Sequence, residues 1–339
     1  MNRTFSWLKD RPYPIFVVLV LSVWLYVMIS QNLFHFLHEH WEIMVTMVFG
    51  SFVAGASSEG GGAIAFPVLT LGLNIAPATA RNFSFAIQSI GMLAASIYIV
   101  QKKIKIEWQA IKYGSIGGAA GIVFSTFLLT QYFSPVNLKI FFVSLWLAFG
   151  FVLYKVNKDP KKLKLEKIPA NGSYERNLLL MFGALGGMVS GLIGNGIDIL
   201  IFAVLALHYA VSEKVATPTS ILLMTGNTLI GLFLHAFIVG DFNPASDAYE
   251  YWLACIPVVV FGAPLGALVV NLLNRHVIYV LLMSIIIVQY IFAFVVFYIS
   301  KALTWEVVAI SIVTVFTGYL LFLLLNKRGS KRIAQTNGK

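Results

Sequence analysis

Only one cysteine, Cys255, occurs in the 339 residues, so no intrachain disulfide can form. Charge is scarce too. Asp, Glu, Lys and Arg make up 11% of the chain, where soluble domains run near a quarter. With 59% hydrophobic residues and a mean hydropathy of +0.84, that shortage excludes an ordinary soluble domain. Acidic residues are the rarer sign, 14 against 24 Lys and Arg, for a formal charge of +10. The bases cluster in short loops beside apolar runs, which reads as membrane topology and not as nucleic-acid binding. No nucleophile–base set, ATPase signature or metal-ligand spacing occurs, and Gly60-Gly61-Gly62 follows no strand pattern that would make it a nucleotide fingerprint. The expectation is a non-enzyme without cofactor or metal.

What the chain does have is hydrophobic length. A bilayer span needs ~20 mainly apolar residues. Continuous runs fall at 13–31, 76–100, 108–131, 135–156, 211–239, 250–272, 276–299 and 303–326. The first follows Arg3, Lys9 and Arg11, exceeds a signal-peptide core and lacks an Ala-x-Ala-like cleavage site, so it is expected to be a retained helix. Two further segments, 41–73 and 177–209, are too long for one straight helix and are interrupted by glycine and polar residues.

These interrupted segments resemble each other. Gly55 to Leu69 is echoed by Gly191 to Leu205, and the same offset superposes Gly50 on Gly186, Gly60 on Gly196, Ala80 on Ala216 and Ser84 on Ser220. Gly-interrupted apolar segments in corresponding positions of two halves point to a carrier's binding site. Basic loops decide their path. If both segments are re-entrant hairpins, the N-terminus, the 101–107 loop, the 157–176 loop, Arg275 and the tail share one side. The other side then receives only Lys301 as a base. The positive-inside bias therefore places both termini in the cytoplasm.

Three spans separate the hairpins, and an odd number inverts the second copy. Gly117-x-x-x-Gly121 has its counterpart in Gly262-x-x-x-Gly266, a spacing that allows close helix approach. The expected fold class is an all-α polytopic membrane protein with inverted-topology repeats, about eight transmembrane helices and two re-entrant broken-helix hairpins. Its parts are residues 1–40 (tail and extra helix), 41–156 (first repeat), 157–176 (basic cytoplasmic linker), 177–299 (second repeat) and 300–339 (final helix and basic tail).

Broken backbone at membrane depth leaves peptide groups that hydrocarbon cannot satisfy, so it persists only where protein or a wet cavity surrounds it. The tips at Ser57 to Gly62 and Gly194 to Asp198 are such places. The half-helices that follow start near Gly61 and Gly196 and aim free amides at the centre, which favours an anion. Expected lining residues are Gly60, Gly61, Asn82, Ser84, Gln88, Asn195, Gly196, Thr219, Ser220 and Asn227. Arg81 is either the anion contact or an interfacial base snorkelling outward. Glu59 and Asp198 sit at the breaks as proton-coupling groups, as ion-pair partners of Arg81, or, for Asp198, as a helix cap. His35, His38 and His40 read as interface histidines, Lys112 and Lys139 as snorkelling bases, Trp24, Trp41, Trp108 and Trp252 as interface anchors. The 157–173 stretch reads as an exposed tether facing anionic lipid.

Gly60-Gly61-Gly62, Pro67-Val-Leu69 and Ala216-x-x-Thr219-Ser220 resemble the paired motifs of the sulfite exporter TauE/SafE family of membrane permeases, over about residues 41–299. The resemblance implies transport of small anions such as sulfite, organosulfonates or related organic acids. Departures are Phe83 in place of the family's Thr, Asn195 and Asp198 within a glycine run, and Ala203 in place of proline. The expected function is a secondary transporter in the cell membrane, acting on a small anion by alternating access, with protons as a candidate coupling ion. An anion channel and a membrane-embedded ligand sensor or scaffold are the alternatives.

Overall fold

Nine helices among the described residues are long and apolar enough to cross a membrane, and two shorter apolar helices accompany them. The computed structural model describes residues 11–57, 68–130, 132–157, 164–169 and 172–337. In chain order the elements are α1 (Pro12–Ser30), α2 (His35–Glu39), α3 (Trp41–Ala56), a π turn (Val68–Gly72), α4 (Pro77–Gln101), α5 (Trp108–Leu128), α6 (Pro135–Asn157) and α7 (Ser173–Ile193). They continue with α8 (Ile197–Ala203, extended by a π turn to His208), α9 (Glu213–Phe233, extended by a π turn to Val239), α10 (Asp247–Leu272), α11 (Arg275–Ile299) and α12 (Trp305–Asn337). The count exceeds the expected eight because α7, read from sequence as one arm of a hairpin, is itself of spanning length.

Local chemistry sets the ends. Proline opens α1 and α4, where its missing N–H costs nothing. Glu107, Ser212 and Asn274 cap α5, α9 and α11 by accepting from the amides of Gln109, Lys214 and Val277. Burial then sorts the helices. α4 is the most enclosed, with 78% of its apolar window buried, against 11% for α1. Residues such as Val18, Leu19, Tyr26, Phe316 and Leu321 on α1 and α12 are exposed, as lipid-facing side chains are.

Side-chain contacts register the helix ends. At one end Tyr13 N–H donates to Gln101 Oε1 (2.9 Å), Asn157 to Glu213 (3.1 Å) and Lys105 to Glu166 (2.7 Å), and His208 Nδ1 meets the Leu325 carbonyl (3.1 Å). At the other end Arg81 meets Asp241 (3.3 Å), His40 meets Glu250 (3.1 Å) and Asn137 meets Glu306 (2.8 Å). The segment from Ser173 to His208 starts and finishes at one end, since the Tyr174 and His208 rings lie 5.9 Å apart. Trp41 and Pro77 both lie at the opposite end, linked through His40–Tyr251 and Phe83–Tyr251 ring contacts.

The two Gly-x-x-x-Gly stretches make reciprocal contacts. Gly117 and Gly121 of α5 lie against the Leu180 and Ala184 carbonyls of α7. Gly266 of α10 lies against the Phe52 carbonyl of α3, and Gly262 against Ser51. Backbones approach so closely there that any side chain would displace a helix.

Two expectations are corrected. Residues 164–169 of the linker are no loose tether. Leu165 bridges Val211, donating to the Ala210 carbonyl and accepting from Ser212 (2.8 Å each). Lys164 pairs with Glu213 (3.4 Å) with both side chains almost wholly enclosed, and Ile168 N–H donates to buried Glu107 (2.7 Å). Lys139 does not snorkel: it is 4% exposed and its ammonium lies 5.8 Å from the centre of the Phe297 ring.

Candidate functional site

The chain break after α7 is built on two glycines. Gly194 ends α7 at φ +83° and Gly196 follows at φ +151°, both in the region that glycine alone enters readily. A Cβ at Gly194 would lie 2.7 Å from Ser84 Cβ, and one at Gly196 would lie 2.7 Å from Val189 Cγ1. The sharp reversal therefore sits in tight contact with α4 and with the arm it has just left.

Around this break the structure gathers several expected residues. Ser84 Oγ and Gln88 Nε2, one turn apart on α4, both donate to the Gly194 carbonyl (3.2 and 3.1 Å). Asn195 and Asp198 are buried. Asn227 of α9 is buried against α5, its Oδ1 3.0 Å from the position of a Cβ on Gly118, where the Ile197 side chain also packs. Among the described residues, Gln88 Oε1, Asp198 Oδ2 and both amide atoms of Asn227 are buried without a hydrogen-bond partner. Ser51 of α3 shares that condition and lines a narrow cleft with Gln88, Gly91 and Val259.

The amides that open α8 are not bare. Ile197 N–H donates to Ser190 Oγ (3.1 Å) and Ile199 N–H to Asp198 Oδ1 (3.0 Å). The helix start is thus already occupied from within the chain, by the Ser190 hydroxyl and one oxygen of the Asp198 side chain, where an outside anion would otherwise bind. Gly196, not Asp198, is the residue preceding the helix.

Other expected residues lie apart. Thr219 Oγ donates to the Val215 carbonyl (2.7 Å) and accepts from Glu107 N–H (2.8 Å), which ties α9 to the loop before α5. Ser220 bonds back to the Thr217 carbonyl (2.8 Å). Arg81 is neither an outward snorkelling base nor the partner of Asp198. It is 5% exposed and pairs with Asp241, while its Nε and Nη2 also donate to Asn82 Oδ1 (3.2 Å each). Asn82 Nδ2 in turn donates to the Asp241 carbonyl (3.4 Å). Glu59, Gly60 and Gly61 lie outside the described residues.

Nothing in the sequence marks Asp241 as a functional group or as the partner of His235. His235 Nδ1 meets Asp241 Oδ1 at 2.8 Å, its ring stacks on Phe85 (5.6 Å), and its Nε2 is buried without a partner among the described residues. Burial would push the Asp241 carboxyl up. Hydrogen bonds from His235 and Asn82 and the charges of His235 and Arg81 outweigh it and hold the group below the ordinary carboxylate value. Ser190 was equally silent in the sequence, one small residue among many on α7.

Among the described residues the arrangement offers side-chain amides, hydroxyls, a guanidinium and the buried Asp198 carboxyl, and no nucleophile with a base beside it. It can bind and orient a small polar solute. Comparison with known proteins bears on which. The family model for Sulfite exporter TauE/SafE matches residues 43–291, from α3 into α11, and takes in both broken segments. Comparisons with curated proteins and with solved structures give no match. This multi-pass membrane protein belongs to the sulfite exporter TauE/SafE family, a family of membrane transporters of sulfur-containing anions.

Proposed function

We propose that the chain is a secondary carrier of a small oxyanion, sulfite, an organosulfonate or a related organic acid, working by alternating access around the break at Gly194 to Gly196. One observation carries the reading: buried polar atoms of Gln88, Asp198 and Asn227 stand without partners, among the described residues, beside a broken backbone. Such groups each cost on the order of 1–3 kcal/mol when left unpaired. A fold that keeps several together needs a polar occupant to offset them.

The reciprocal glycine contacts support inverted repeats over 41–156 and 177–299, because each repeat's small-residue helix packs on the other's broken segment. Bases such as Lys103, Lys105, Lys164, Lys167, Arg176 and Lys327 belong to one end, and acids such as Glu39, Asp241, Glu250 and Glu306 to the other. This supports a cell-membrane orientation with both termini cytoplasmic. Asp198 suggests how protons enter the cycle. Protonation would release its hold on the α8 amides, and the substrate anion would take its place; return of the carboxylate would expel the anion.

The test is uptake of labelled sulfite, thiosulfate, sulfonates and small carboxylates into proteoliposomes. Saturable flux with counterflow is expected, stimulated by an imposed pH gradient in wild type and not in Asp198→Asn. Flux linear in concentration would make the protein a channel, and binding without passage would make it a sensor. Arg81→Ala should abolish uptake, whereas unaltered affinity removes Arg81 from the path.

A further inference from the structure

The carrier reading leaves Asp241 unexplained, a carboxylate paired with Arg81 of α4. Arg81 lies on α4 one turn before Ser84, and its own carbonyl is 3.0 Å from the position of a Cβ on Gly194. Arg81 thus stands between the two, its backbone beside the break and its side chain on the Asp241 loop. That guanidinium is enclosed, its side chain 6% exposed, while Asp241 is 36% exposed on the loop that follows Gly240. Gly240 has φ +80° and nothing within 4 Å of its Cβ position, so the loop departs from α9 through an open, glycine-made corner.

The pairing is a weak match for Arg. One oxygen, Oδ2, meets one nitrogen at 3.3 Å, and the fork spends its other described bonds on Asn82. Charge-assisted pairs of this kind normally close to ~2.7–2.9 Å and use two parallel bonds. The second carboxylate oxygen is turned away, to His235 at 2.8 Å. A free oxyanion that presents two oxygens to the same guanidinium makes the better fit. His235, Asn82 and the stacked Phe85 then form the remaining walls.

We infer that Arg81, Asn82 and His235 form an outer vestibule site for a small oxyanion, and that Asp241 is a tethered carboxylate that fills this site until a substrate anion displaces it. The inference rests on the carrier reading and adds to it the place where the anion first binds. It also explains why an anion carrier keeps carboxylates beside its anion-attracting groups: each stands in for the substrate when none is bound.

Two measurements on the full chain test it. In proteoliposomes, Asp241→Asn should lower the half-saturating sulfite concentration about tenfold on the Asp241 side, as expected for losing one charged competitor. The value on the opposite side should not change. Asp247→Asn, which removes a neighbouring acid that makes no contact with Arg81, should leave both values as in wild type. In a Cys255→Ser, Ser84→Cys background, Asp241→Asn should also speed mixed-disulfide formation at position 84 by an external sulfonated methanethiosulfonate, itself a small oxyanion, with methanesulfinate as the leaving group. Asp241→Ala repeats both readings should the amide substitution find a new partner. Unchanged labelling together with an unchanged or raised half-saturation overturns the vestibule while leaving the carrier standing. Faster labelling in a protein that moves no member of the anion panel keeps the vestibule and removes the carrier.

Discussion

Gly194→Ala isolates how much of the central break depends on one missing side chain. At φ +83° the new Cβ costs ~1–2 kcal/mol in backbone strain. It also meets Ser84 Cβ at 2.7 Å and Ser84 Oγ at 2.9 Å, closer than real Cβ contacts run, so α4 must move away. That movement strains the two hydrogen bonds from Ser84 and Gln88 to the Gly194 carbonyl, each worth ~0.5–1.5 kcal/mol. The total is ~2–5 kcal/mol. Gly240→Ala provides the control, because Gly240 has nearly the same φ, +80°, with nothing within 4 Å. It should show the strain alone. At roughly 2 °C per kcal/mol for a chain of this size, the melting midpoint in detergent should fall by about 2–4 °C for Gly240→Ala and about 4–10 °C for Gly194→Ala. Uptake should be lost in Gly194→Ala because the two α4 donors no longer hold the break. Equal midpoints for the two variants would refute the claim that α4 presses on the tip, and with it the geometry of the site.

Glu213→Ala withdraws a partner of enclosed Lys164 and should destabilise the protein by ~3–5 kcal/mol, read as the same midpoint shift. Gly121→Val and Gly266→Val should impair folding to a similar degree in expression and size-exclusion profiles, since each drives a side chain into a facing carbonyl; one harmless variant would break the reciprocity between the halves. Asn227→Leu keeps the branched outline and removes two unpartnered polar atoms, so uptake should vanish while the midpoint holds or rises. For Asp241 the depressed value sets the sign. Its stabilisation is complete above the unfolded carboxylate value of ~3.9 and is lost as pH falls through the lower folded value. The midpoint difference between wild type and Asp241→Asn should therefore be flat from pH 8 to about pH 5 and shrink in stronger acid.

Much of this was legible in advance for a simple reason: the bilayer imposes its rule locally. A segment such as 108–131 must satisfy its own backbone by forming a helix whatever surrounds it, and the structure places α5 at Trp108–Leu128. The glycine break at 194–196 was readable because positive φ is a property of one residue type. Ser84 could be found beside it because the two broken segments recur at one offset. Charges were less readable. The sequence leaves Arg81 open between an anion contact, an interfacial base and a partner of Glu59 or Asp198, and it predicts Lys139 at the interface, because neither residue's neighbours in space are readable from its neighbours in the chain.

Hydropathy and glycine placement alone determined that this chain lives in a membrane, where its helices run, and where its backbone breaks, because each depends on residues and their immediate neighbours. The partner of Arg81 lies 160 residues away, and the amides of α8 are filled by Asp198 and by Ser190 from the arm before the break. Those choices rest on which loops and helix ends packing brings within a few ångströms, and electrostatic pairing at that range is decided only once the helices are assembled.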